Sequence, residues 1–106
     1  MPIIKRTAIA ERYPAPVKER LVEEFIHGEE ANRPEGSPLI IIEPALGNRS
    51  RIVVVWDDAD WTALTQEDRS AAIFDAYADA YGEGSELELM FALGVTRSEA
   101  KIMGLI

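Results

Sequence analysis

The sequence contains no cysteine and a single histidine, His27. The first absence excludes a thiol nucleophile, a disulfide framework, an iron–sulfur cluster held by the chain's own thiolates, and every cysteine-based zinc site. The second leaves His27 as the one imidazole for a triad or a histidine general base. Its place near the end of a helix, where the dipole favours an imidazolium, accounts for it without catalysis. No apolar run is long enough to cross a bilayer, and MPIIKRTAIAERYPAP lacks the apolar stretch of a secretory signal, so a cytoplasmic chain is expected. Phosphate loops are missing too: LGN and YGEGS match neither G-x-x-x-x-G-K-S/T nor G-x-G-x-x-G. None of Ser37, Ser50, Ser70, Ser85 and Ser98 sits in a G-x-S-x-G elbow. No cofactor is expected, and no catalytic motif is present.

Charge is unevenly placed. Residues 1–52 carry eight Lys or Arg against eight Glu, and residues 53–106 carry three against eleven acids, so the whole formal charge of −8 lies in the second half. Every aspartate is there. Phosphate backbones repel such a surface, which makes nucleic-acid binding an unfavoured reading and a basic partner a favoured one. With 106 residues, 47% hydrophobic and 28% charged, the chain is expected to be one domain with its own core.

Periodicity gives an outline of the elements. Residues 2–9 alternate loosely through Ile3, Lys5, Thr7 and Ile9, which suits a short edge strand. Pro16 is placed as a first helical residue before VKERLVEEFIH, with Val17, Leu21, Val22 and Phe25 on one face and a left-handed Gly28 at the end. Residues 28–38 form a polar loop in which nothing is expected to pack. LIIIE at 39–43 and RIVVVW at 51–56 predict a hairpin, the first strand reading as central and covered on both faces or facing a partner subunit. Thr65 caps a second helix, with Asp68 as reciprocal partner, Gly82 at its end and a core stripe of Ser70, Ile73, Phe74, Tyr77 and Tyr81. Residues 85–96 alternate through Leu87, Leu89, Phe91 and Leu93 and predict a strand, although a helical spacing fits as well. Thr96 and Glu99 form a capping box for a short last helix ended by Gly104. The order is (β)αββαβα: a two-layer α+β fold, a small and mainly antiparallel sheet of three or four strands with helices on one face. It is ferredoxin-like if the N-terminal strand forms; αββαβα alone is the order of BolA and class II KH domains.

Trp61, Leu64 and Arg69 after a strand resemble the aromatic-turn-arginine approach to the second helix of BolA proteins. That family's histidine before the last strand and its Arg-His pair in the helix are replaced here by SELELM and Arg69-Ser70. Its cluster-sharing chemistry therefore does not transfer.

Two carboxylate groups are candidate sites. In VVVWDDADW, Asp57, Asp58 and Asp60 follow a strand end, and with Glu43 and Trp56 or Trp61 they make a candidate small-ligand or divalent-metal site. The stretch is not a calcium loop, since it lacks the glycine and the later ligands of that motif. Short polar side chains that end a strand by bonding their own backbone explain it as well. On the second helix Asp68, Asp75 and Asp79 share one side, against like-charge repulsion and, at Asp79, against the dipole. That face suits a basic partner. ALGVTRSEA resembles the turn of a helix-turn-helix, but only Arg97 and Lys101 make its last helix basic. The expectation is a small acidic protein-interaction or accessory domain, a homo-oligomer or the binder of a basic protein. A ligand or metal site on the carboxylates is the alternative.

Overall fold

A computed structural model describes residues 12–106. The strand expected over residues 2–9 lies outside them. The described elements are α1 (Ala15–His27), β1 (Leu39–Pro44), β2 (Ser50–Val55), α2 (Ala59–Ala63), α3 (Gln66–Tyr81), a 3₁₀ turn (Ser85–Glu88), β3 (Leu89–Val95) and α4 (Arg97–Ile102). They make an α+β fold.

α1 starts where Pro16 occupies its first turn, a position that needs no backbone N–H. Val17, Leu21 and Phe25 are buried along it. Its end departs from expectation: Gly28 has φ −61°, right-handed, and the chain turns on with the Glu30 N–H donating to the His27 carbonyl. The loop at 28–38 also packs. Pro38 is buried, Arg33 Nη2 lies 3.0 Å from the buried Glu24 Oε1, and the Trp56 indole donates to the Gly36 carbonyl at 3.1 Å.

The sheet has the order β1-β2-β3. β1 pairs antiparallel with β2, from Leu39 opposite Val55 to Pro44 opposite Ser50. β2 pairs parallel with β3, so the sheet is mixed rather than mainly antiparallel. A parallel pair needs a long crossover, and α2 with α3 supplies it. Direct contact of β2 with β3 leaves no place between them for the strand that would split this unit in a ferredoxin-like sheet.

β2 is the central strand, with Ile52, Val53, Val54 and Val55 all buried. β1, read from its apolar run as central, is an edge strand among the described residues. The signal that marks it is Pro44, whose missing donor is tolerated at an edge. Ile52, Val54 and Trp56 face α1 and α3, where they join Leu21, Trp61 and Ile73. Burial of each such aliphatic side chain contributes about 1.5–3 kcal/mol. On the opposite face Val53, Val55 and Val95 pack with Ala100 of α4 and with Leu105. That face, expected to be bare of helices, is therefore partly covered.

α3 is capped by Thr65, whose hydroxyl accepts from the Asp68 N–H, and Gly82 follows it with φ 109°. Its buried side is Arg69, Ala72, Ile73 and Ala76, where the small residues bring the helix close to the sheet. Tyr81, assigned to the core stripe, is exposed and its hydroxyl donates to the Phe25 carbonyl at 3.0 Å. The capping box of Thr96 and Glu99 forms as expected.

Candidate functional site

Two of the three aspartates of VVVWDDADW, Asp57 and Asp58, are engaged by the backbone around them. Asp57 Oδ1 accepts from the Arg97 N–H at 2.9 Å, which ties the end of β2 to the start of α4. Asp58 caps α2, its Oδ1 accepting from Asp60 N–H at 2.9 Å and Trp61 N–H at 3.3 Å. That short helix is the element which the stretch encodes and which sequence periodicity missed. Asp60 is exposed in its first turn, where the dipole favours an anion. Trp61 is buried and its indole donates to the Val95 carbonyl at 3.1 Å. Glu43 is elsewhere. It sits opposite Arg51, with Oε1 3.2 Å from Nε, at the far end of the hairpin. Asp57 follows Arg51 by six residues, about 20 Å of strand. The end of one hairpin strand meets the start of the other, so the expected Glu43–Asp57 proximity does not occur. Among the described residues no group of three His, Asp or Glu is placed to hold a metal ion. A cleft of about 260 Å³ does lie at the carboxyl ends of β2 and β3, lined by Arg20, Ser37, Trp56, Asp57, Asp58 and Arg97.

Behind that turn is a buried guanidinium. Arg69 Nε donates to the Trp61 carbonyl at 2.9 Å, Nη2 to the Thr62 carbonyl at 3.0 Å, and Nη1 to the Gly94 carbonyl at 3.1 Å and Glu99 Oε1 at 3.0 Å. Its carbon lies 5.8 Å from the Trp61 ring centroid. One side chain thus joins α2, α3, β3 and α4. Gly94 makes room for it: a Cβ there would lie 2.4 Å from Trp61 Cζ2 and 2.7 Å from Arg69 Cβ. The Glu99 carboxyl is held below its usual range, first by the Thr96 backbone N–H and then by Arg69. The sequence signal for this staple was an arginine on the buried side of an amphipathic helix.

The three aspartates of α3 lie side by side as expected, but they face the first turn of α1 and the residues just before it. Arg12 Nε is 3.0 Å from Asp68 Oδ1, the Tyr13 hydroxyl donates to Asp75, and Lys18 Nζ is 2.8 Å from Asp79 Oδ2. Burial, reinforced by Asp75, pushes the Tyr13 hydroxyl up, and the bond to Asp79 raises Lys18. Each carboxylate therefore has a partner within the chain, and the lysine offsets the unfavourable dipole at Asp79.

Exposed apolar side chains occur on both edge strands, at Met90 and Phe91 of β3 and at Leu39 and Ile42 of β1, and those of β1 lie beside a groove. A groove of about 380 Å³ runs between β1 and the C-terminal half of α1, its lining mixed: Phe25, Ile26, Leu39 and Ile42 with Glu24 and Glu29. Ile26 is 55% exposed, Ile42 53% and Tyr81 51%. Among the described residues the outer backbone edge of β1 has no strand partner. Ala45 N–H donates to the Arg49 carbonyl at 2.9 Å, and the two-residue alternation of an antiparallel ladder then turns the polar groups of residues 39, 41 and 43 towards β2. Those of Ile40 and Ile42, with the Pro44 carbonyl, turn outward. Comparison with protein-family models, curated proteins and solved structures returns no match.

Proposed function

We propose that the chain is a protein-association domain whose binding surface is the free edge of β1 with the groove beside it. The observation that carries this reading is the coincidence, at one strand edge, of the outward backbone donors of β1 with half-exposed Ile42 on that strand and Ile26 of α1 and Tyr81 of α3 beside it. An added strand satisfies the first and buries the second. The acidic side of α3, the surface favoured by charge alone, is the weaker candidate because Arg12, Tyr13 and Lys18 already occupy it. The test is particle mass by light scattering for protein purified from its own cells. The wild type is expected above the 11.8 kDa of one chain, and Ile42→Lys is expected to return it to that mass. The substitution is at an exposed position and should leave stability within about 0.5 kcal/mol. A complex indifferent to Ile42→Lys would place the association surface elsewhere.

A small charged ligand in the cleft of Arg20, Asp57, Asp58 and Arg97 is a second reading. Its support is position, at the carboxyl ends of a parallel strand pair. Millimolar phosphate should then raise the melting midpoint, by about 4–8 °C for each kcal/mol of binding, and Arg97→Gln should remove the rise.

A further inference from the structure

We infer that the occupant of the β1 edge is a second copy of this chain, joined antiparallel about a two-fold axis through Ile41. The inference rests on the association reading above and adds partner and register to it.

Backbone chemistry sets the length of the joint. Pro38 and Pro44 bracket the strand and neither has an N–H, so Ile40 and Ile42 supply the outward donors of β1. With Ile41 on the axis, Ile40 of one copy faces Ile42 of the other, and each such pair exchanges two hydrogen bonds. The four resulting bonds use every one of these donors. The next pair outward sets Pro38 against Pro44, where no donor exists, and the ladder stops. A two-fold axis normal to the sheet keeps like faces together, so Ile42 of each copy packs beside Ile40 of the other, along the groove of α1. Ile41 meets Ile41 on the opposite face as a pair without mutual backbone bonds, with Cα atoms about 4.5 Å apart.

Charge favours a copy at this place. The chain carries a formal charge of −8 and two copies repel over most of their surfaces. At the edge, Glu24 is neutralised by Arg33 and Glu43 by Arg51. The exposed Glu29 lies at the rim of the groove, outside the strand. Glu29 apart, the acidic groups beside the apolar residues are paired, which lowers the repulsion that an isologous contact between two anionic chains meets.

The absence of cysteine makes the register directly measurable. Ile41→Cys is expected to give a self-disulfide under mild oxidation and a species of twice the chain mass, since the Cα separation suits the bond. Glu43→Cys is the control: in this register the two residues 43 lie about 13 Å apart and must stay reduced. If Ile41→Cys folds poorly, amide exchange on the wild type replaces it: raising the protein concentration should slow the Ile40 and Ile42 amides and leave those of Ile41 and Glu43 unchanged. Cross-linking through residue 43 in place of 41 overturns the register. A complex with a different polypeptide, dissolved by Ile42→Lys, overturns the second copy but keeps the association surface. A monomer with protected Ile40 and Ile42 amides overturns both and gives the edge to residues 2–9 of the same chain. A monomer with these amides unprotected also overturns both.

Discussion

Arg69 is the residue on which the most structure depends. Replacing it by leucine leaves the buried Gly94 carbonyl without its side-chain donor and the Trp61 carbonyl with the Leu64 N–H alone. The expected loss is about 3 kcal/mol, read as a lower urea midpoint with an unchanged slope. Gly94→Ala attacks the same place from the strand, because its Cβ meets the Trp61 ring. It should lose about 1–3 kcal/mol in the same assay, whereas Gly47→Ala, with open space around its Cβ but φ 68°, should lose less. Glu99 adds a dependence on pH. Its carboxyl pKa is lowered in the fold, so the stabilisation it gives is present above the ordinary carboxylate range and is lost as pH falls through the lowered value. Glu99→Gln should therefore be less stable than the wild type at neutral pH, and the difference should close in acid. Denaturant midpoints at a series of pH values check this; a constant gap would assign Glu99 a role independent of its charge.

At the scale of elements, α1 and the segment just before it are joined to α3 by Arg12, Tyr13 and Lys18 against Asp68, Asp75 and Asp79. Asp75→Lys with Asp79→Lys removes the hydrogen bond from Tyr13 and turns the attraction of Lys18 for Asp79 into a repulsion, at partly exposed sites. A loss of about 1–2 kcal/mol, or a midpoint fall of roughly 4–16 °C, is the expected thermal result. Association should be unaffected if β1 carries it; loss of the complex with an unchanged midpoint would restore α3 as the partner surface. These three aspartates show what the sequence could and could not display. Their common side was legible from helical spacing, but what faces that side depends on how α1 crosses α3, and no local pattern encodes a crossing. The hairpin was legible because its turn and its two apolar runs are local. The ranking of those runs was not: LIII and IVVV look alike, and only the pairing of β2 with β3 makes β2 central. Glu43 was misplaced for the same reason, since an antiparallel register sets strand ends against strand starts. Thr65 and Thr96 both cap as their spacing predicts, because those bonds span three residues, but the reciprocal bond expected from Asp68 is absent and its carboxylate pairs with Arg12.

For the whole molecule the decisive quantity is the formal charge of −8. Two like-charged copies meeting at a neutral edge should associate more tightly as salt screens the rest of their surfaces, with a screening length of about 8 Å at physiological ionic strength. A basic hetero-partner would respond in the opposite sense. Sedimentation at increasing sodium chloride separates these: a falling dissociation constant supports the self-joint, and a rising one counts against it.

The parallel pairing of β2 with β3 also governs the birth of the chain. Val55 and its strand partner Val95 are separated by about 40 residues, and at 5–20 residues per second their synthesis is separated by roughly 2–8 s. During that interval the nascent hairpin presents Ile52, Val53 and Val54 with one side of their backbone unpaired, beside a β1 edge that is also open. The newly made chain is most prone to aggregate in those seconds, before β3 arrives and Arg69 finds the Gly94 carbonyl.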